Sequence, residues 1–299
     1  MVTKEEITEW FKNLQSDICT TLEEADGSGQ FIPDIWERPG GGGGTSRVIN
    51  NGSVIEKGGV NFSAVHGETP AKILTALNLE ASDFYATGVS IVLHPHNPFV
   101  PIIHMNVRYF EMSNGIYWFG GGIDLTPHYV DQDDAQYFHT TLKEICDRFD
   151  SSYYPNYKKW ADDYFYIKHR QETRGVGGIF FDRLTAQKEK QKSDIFAFVQ
   201  AVGQAFAPTY AYFMNKNKDL HFDNQHKQWQ YLRRGRYVEF NLVLDKGTKF
   251  GLDTNGRTES ILMSLPPFAT WQYNHTPPPD SLEAKTLVSL KKDINWINL

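Results

Sequence analysis

The sequence predicts an α+β fold in a single domain spanning residues 1–299, an antiparallel β-sheet covered by helices. Runs that alternate apolar and polar residues recur between 48 and 119 and return after 237. Stretches with helical spacing stand before, between and after those runs. No strand–GxGxxG–helix unit with a downstream acidic residue is present, which removes the dinucleotide-binding α/β fold.

In chain order, residues 3–25 read as an amphipathic helix, with Thr3 and Glu6 as a capping box and Ile7, Trp10, Phe11, Leu14, Ile18 and Leu22 on one face. Residues 26–46 read as irregular and end in five glycines, Gly40–Gly44, which either let backbone approach a ligand or form a flexible surface connection. No Gly-Lys-Ser/Thr follows them, so they are not a P-loop. Residues 47–66 make a hairpin or short meander turning at Asn50-Asn51-Gly52, and 70–80 a brief helix. A strand from Gly88 sets Ser90, Val92 and His94 opposite Val89, Ile91 and Leu93, and Pro95 and Pro98 stop it. Strands over Pro101–Glu111 and Ile116–Phe119 follow, and Gly120-Gly121-Gly122 is expected to bend the chain sharply. Helices are expected over about 131–149 and 155–170, then a Gly-rich turn and short strand at 174–184. A long helix capped by Ser193 is expected to be interrupted near Pro208, and another helix covers 222–234. Tyr237–Leu244 alternates and reads as a strand, as does Ser260–Leu265, and a helix ends the chain.

Hydrophobic residues at 40% and charged residues at 22% suit a soluble globular enzyme. A net charge of −6 argues against a nucleic-acid partner, since binding to phosphates needs a basic face. Cys19 and Cys146, far apart, make no disulfide framework and fit a reducing cytosol. The N-terminal segment has no apolar signal core and is too acidic for a transit peptide, and no apolar run reaches the roughly 18 residues of a spanning helix. A cytoplasmic protein without stable membrane insertion is therefore expected. With 20 Phe, 15 Tyr and 7 Trp, the aromatic content fits flat packing surfaces and a large planar ligand equally well.

Most of the plausible chemistry lies within 88–128. Period two places Ile103, Met105, Val107 and Tyr109 on one face and His104, Asn106 and Arg108 on the other. An imidazole, an amide and a guanidinium in a row either floor a polar, anionic ligand or meet water on a sheet with one wet face. Asp124, beyond the glycine triplet, either enters a cleft as hydrogen-bond acceptor or base, or caps a turn.

The blocks GVNFSAVHG (59–67), GVSIVLHPHNP (88–98), HMNVRYFE (104–111), WFGGGIDLTP (118–127), YYPNYKKWADDYFYIKHR (153–170) and RRGRYVEFNLVLDKGTKFGL with RTESILMSLPP near the end resemble the oxygen-dependent coproporphyrinogen III oxidase family. The resemblance runs from about Pro33 to Trp271. It implies a large, rather flat antiparallel sheet flanked by helices on both faces, a homodimer, and oxidative decarboxylation of two propionates of coproporphyrinogen III to vinyl groups. Protoporphyrinogen IX, carbon dioxide and hydrogen peroxide are the implied products. It also implies no metal and no organic cofactor, with O2 as co-substrate. The implied substrate contacts are Ser90, the run Asn106, Val107 and Arg108, and the turn Asn255, Gly256 and Arg257. The expected catalytic set is His104, Asp124 and Arg108, with His104 as proton donor and Asp124 accepting from the pyrrole N–H groups. Arg108 and Arg257 suit propionates because a guanidinium forks onto a carboxylate. Bacterial relatives often carry Gly-Gly-Arg where this chain has Asn-Gly-Arg, and asparagine tolerates the left-handed backbone such a turn needs.

Two other readings compete. A metal-dependent dioxygenase would use the cupin-like opening Gly88-x5-His94-x-His96, with His94, His104, His139 and His169 as the candidate ligands, but the expected glutamate does not follow. A tetrapyrrole carrier would keep Arg108 and Arg257 and have no need of His104 and Asp124.

Overall fold

The structure, a computed structural model, describes residues 2–69, 74–75, 80–188, 190–253 and 256–298. The helix expected at 70–80 lies mostly outside these residues, as does Asn255. Among the described residues the helices are α1 (Lys4–Asp26), α2 (Gln132–Asp147), α3 (Tyr153–Tyr164), α4 (Lys192–Asn217), α5 (Asn224–Glu239), α6 (Lys246–Asp253), α7 (Thr258–Leu262) and α8 (Leu282–Ser289), with a π-helical turn at Phe240–Leu244. The strands are β1 (Ile32–Glu37), β2 (Gly42–Asn50), β3 (Ile55–Glu68), β4 (Asp83–Pro95), β5 (Ile102–Met112), β6 (Tyr117–Thr126), β7 (Tyr166–Ile167), β8 (Glu172–Thr173) and β9 (Gly177–Leu184).

Seven strands form one antiparallel sheet in the order β1-β2-β3-β4-β5-β6-β9, and β7 and β8 pair separately. From β1 to β6 each strand pairs with the next in the chain, as antiparallel neighbours readily do, whereas β9 joins β6 only after α2, α3 and the β7–β8 pair. On one face, Ile91, Leu93, Ile103, Met105, Val107, Ile123 and Ile179 are buried against Phe11, Leu14 and Ile18 of α1 and Val199, Val202 and Phe206 of α4. The α1 face is the one its periodicity predicts, and Thr3 and Glu6 close the capping box. The other face is covered in part by α5, the π-helical turn and α7: Tyr237 packs on Val92 and Ile102, and Ser260 Oγ meets Ser46 Oγ at 2.8 Å.

Several sequence expectations fail for identifiable reasons. The run Tyr237–Leu244 is not a strand. Within it Tyr237, Phe240 and Asn241 are buried, continuing at helical spacing from Arg233 and Arg234 before it, while Leu242 and Val243 are 43% and 51% exposed. Ser260–Leu265 is likewise not a strand: 260–262 end α7 and 263–265 turn, so that Ser260, Met263 and Ser264 meet the sheet at spacings of three and four. Pro208 lies inside an unbroken α4, where burial of Phe206, Thr209, Tyr210 and Phe213 outweighs a proline cost of about 3 kcal/mol. That helix starts at Lys192, so Ser193 is in its first turn and is not its cap. The α3 helix ends at Tyr164 because the chain turns into the β7–β8 hairpin, which leaves His169 in a turn.

Gly42–Gly44 are not irregular; they belong to β2. A Cβ at Gly44 would stand 2.3 Å from the Phe62 carbonyl oxygen and 2.5 Å from the Trp36 ring, so these glycines allow close strand and ring contact. The triplet Gly120–Gly122 does not bend the chain either. β6 continues through it, with a shift in its register against β9 between Phe119 and Gly121, and Asp124 sits within the strand opposite His104.

Candidate active site

Directly opposed residues of antiparallel strands share a face, so the register alone assembles the site. One row on the face away from the main core reads Ser46, Asn61, Ser90, Asn106, Gly122 and Phe180. The next row on one side contains Gly88, Arg108 and Gly120, and on the other Val92, His104, Asp124 and Gly178. Ser90, His104, Asn106, Arg108 and Asp124 thus come from three strands into one patch, and the glycines leave space above it.

Asp124 is the electrostatic centre of this patch and is 1% exposed. Arg174 Nη2 donates to both its oxygens, at 2.8 and 2.7 Å, and His104 Nδ1 lies 2.7 Å from Oδ1. Burial pushes the Asp124 carboxyl up, but Arg174 and His104 outweigh it and the group is held below the usual carboxylate range. An ionised carboxylate only accepts, so the proton of this contact belongs to His104 Nδ1, which leaves Nε2 for other chemistry. Arg174 donates Nη1 to Asn241 Oδ1 at 2.9 Å and is sandwiched by Phe165, Tyr237 and Phe240, with ring centroids 4.4, 4.7 and 4.7 Å away. The Asp124 carboxylate therefore faces Arg174 and His104.

The two arginines expected to hold carboxylates are both partly exposed. Arg108 donates Nη1 to Asn106 Oδ1 at 2.7 Å and Nη2 to Asp182 Oδ1 at 2.9 Å. Arg257 pairs with Asp34 and donates Nη1 to Ser260 Oγ at 3.1 Å. Ser90 is half-buried between Asn61 and Asn106, and Gly256 is exposed, its N–H donating to the Gly251 carbonyl at 2.8 Å. Val107 belongs to the opposite face, its side chain fully buried in the core, and so does not share the position of its neighbours.

The other histidines are dispersed. His94 is fully buried with Nε2 2.8 Å from the Ser264 carbonyl oxygen, and burial together with Arg234 holds its ring neutral. His139 has Nδ1 2.9 Å from Tyr154 Oη and Nε2 2.9 Å from the Val176 carbonyl oxygen, and burial pulls its pKa down to about 4. His169 lies 2.8 Å from Glu239. Among the described residues no three His, Cys, Asp or Glu gather in a way that could hold a metal ion.

Sequence reasoning missed Arg174, Asn241, Asp182 and the aromatic sandwich. The signal for Arg174 was slight, a cation opening the Gly-rich turn before β9. Asn241 was hidden by reading its segment as a strand.

No helix among the described residues is long and apolar enough to cross a membrane. The chain is 48% identical over 298 residues to coproporphyrinogen-III oxidase 1, chloroplastic, of Arabidopsis thaliana, an alignment covering 95% of this chain and 76% of the relative. It is also 48% identical over 301 residues to the oxygen-dependent coproporphyrinogen-III oxidase, chloroplastic, of Glycine max, covering 96% of this chain and 77% of that one. The family model described as coproporphyrinogen III oxidase matches residues 6–296, nearly the whole length of the sheet and its helices, and with these relatives it shows that the chain belongs to the coproporphyrinogen III oxidase family.

Proposed function

We propose that this chain converts two propionates of coproporphyrinogen III to vinyl groups with molecular oxygen, giving protoporphyrinogen IX, carbon dioxide and hydrogen peroxide. The observation that carries the reading is a face where Arg108 and Arg257 are available to carboxylates while His104 is oriented by a buried, ionised Asp124. For each propionate, one C–H bond at the carbon next to the pyrrole and the bond to the carboxylate carbon break, and a C=C bond forms. Two electrons and that hydrogen reach O2, and one further proton from solution completes H2O2. The two electrons come from the propionate side chain itself, through an electron-rich macrocycle that ends as reduced as it began, so no metal or organic cofactor is required by the chemistry.

In this reading His104 moves a proton at Nε2. Asp124 fixes its tautomer and stabilises the imidazolium, as a buried carboxylate does for a neighbouring histidine in other proton-transfer sites. Because Asp124 is taken up by Arg174 and His104, it serves as a positioning group here, in place of the expected contact with the pyrrole N–H groups. Ser90 and Asn106 offer hydrogen bonds along the floor, and Arg108 and Arg257 hold propionates.

The protein acts as a homodimer in this proposal, which the apolar side chains of the edge strand β1 support: Ile32 and Ile35 are 63% and 79% exposed. Sedimentation velocity giving a concentration-independent monomer would end that part. Cytoplasmic residence rests on the two buried, unpaired cysteines, and is distinguished from the plastid location in the relatives' names by fractionating cells that express the full-length gene. The activity is tested by giving metal-stripped protein coproporphyrinogen III with and without oxygen and following products by chromatography. Oxygen-dependent protoporphyrinogen IX is expected, and its absence rejects the enzyme in favour of a carrier.

A further inference from the structure

Two of the arginine–aspartate pairs of the site face differ in design. Arg174–Asp124 is sealed, at 3% and 2% side-chain exposure, whereas Arg108–Asp182 lies open at 36% and 30%. Asp182 comes from β9 and reaches over Gly120, where a Cβ would stand 2.3 Å from Asp182 Oδ1 and 2.9 Å from Arg108 Nε. The chain thus keeps that space for the ion pair. A pair this exposed contributes about 0–1 kcal/mol, far too little to hold against a carboxylate that grips the guanidinium with two hydrogen bonds and brings its own macrocycle contacts. The arrangement recurs across the sheet, where Arg257 is paired with Asp34 of β1 at 27% and 53% exposure.

We infer that Asp182 is an exchange carboxylate: it occupies Arg108 between turnovers, a propionate of the tetrapyrrole displaces it, and it retakes Arg108 as product departs. No covalent step involves it. It is a positioning residue that keeps the guanidinium charge matched over the floor, and it weakens binding of substrate and product alike, which favours release of a product that still carries propionates. The inference rests on the reading of Arg108 as a propionate-binding residue.

The test is fluorescence titration and stopped-flow displacement with coproporphyrin III, the oxidised tetracarboxylate that does not turn over, and with its tetramethyl ester. Asp182→Asn is expected to tighten coproporphyrin III binding by about 3- to 10-fold through slower dissociation, leaving the ester unchanged. Asp182→Ser, with its urea midpoint measured alongside, guards against a folding defect and is expected to give the same shift. Asp34→Asn should move affinity in the same direction. If Asp182→Asn and Asp182→Ser leave binding unchanged or weaken it while Arg108→Ala weakens it tenfold or more, Asp182 merely braces the arginine and the inference is overturned with the Arg108 assignment intact. If Arg108→Ala itself leaves binding unchanged, that assignment falls first and the inference with it.

Discussion

The two faces of β5 obey opposite rules on one backbone. Ile103, Met105, Val107 and Tyr109 are all at 0–1% exposure and pack against helices, while the interleaved His104, Asn106 and Arg108 are partly open, His104 and Arg108 bonding across strands to Asp124 and Asp182 and Asn106 accepting from Arg108 within β5. On the first face, free energy comes from area removed from water, so any buried methyl matters and no single one is special. On the second face, side chains are deleted to glycine at 88, 120 and 122, and packing is given up for room and oriented charge. Stability is therefore concentrated on one side of a sheet only one residue thick, and chemistry on the other.

The largest effect should come from the residue that breaks this division. Asp124 is buried as deeply as the core and charged as the site requires. Asp124→Asn leaves the Arg174 guanidinium inside an aromatic sandwich without its counter-charge and releases His104 from its tautomer. Turnover is expected to fall by about 10²–10⁴-fold and unfolding free energy by about 3–5 kcal/mol. His104→Gln separates the two: the same loss of turnover with a nearly unchanged urea midpoint, since His104 is partly exposed and Asp124 keeps both bonds to Arg174. Wild-type turnover in either variant would remove the proton-transfer role.

One residue back on the same strand, Ile123 points into the core and is fully buried. Ile123→Ala is expected to cost about 2–5 kcal/mol in denaturant unfolding while turnover per folded molecule stays within about twofold. A loss of turnover as great as that of His104→Gln would show that the faces are not independent.

This division also explains what could be read from the chain. Residues 88–112 were legible because a strand has only two phases, and the polar phase carried the site. The same period misled at Tyr237–Leu244, where alternation of apolar and polar residues coexists with burial at helical spacing; nothing local distinguishes the two until α5 is seen to continue through the π-helical turn. That turn sets Asn241 against Arg174 and Asp245 against Tyr164 Oη at 2.7 Å, contacts between segments 67 and 81 residues apart. Arg174 itself meets Asp124 only because β6 and β9 pair with Leu125 opposite Gly177. Register between distant strands has no signature in one sequence, so the buried partner of the most conspicuous carboxylate stayed hidden.

The smallest expected effect concerns a histidine on the packed side. His139 is fully buried on α2, and burial holds its ring neutral down to about pH 4. An unfolded chain protonates the same ring near its ordinary value of 6.5. Between these values the unfolded state binds the extra proton, so stability falls as pH drops through 6.5 toward 4, by about 2 kcal/mol at pH 5 for this ring alone. His94 and His128, also held neutral by burial, share the sign. Asp124 acts in a different window: its carboxyl is lowered below 3.8, so its stabilisation is complete above that value and is lost only as pH falls through the lower folded one. His139→Gln keeps an acceptor for Tyr154 Oη and a donor for the Val176 carbonyl but cannot be protonated. Its melting temperature should therefore lose less than wild type between pH 7 and pH 5 and run parallel to wild type below the histidine window. Equal slopes in both proteins from pH 7 to 5 would mean that His139 takes up its proton as readily folded as unfolded, leaving the acid sensitivity of that window to other groups such as His94 and His128.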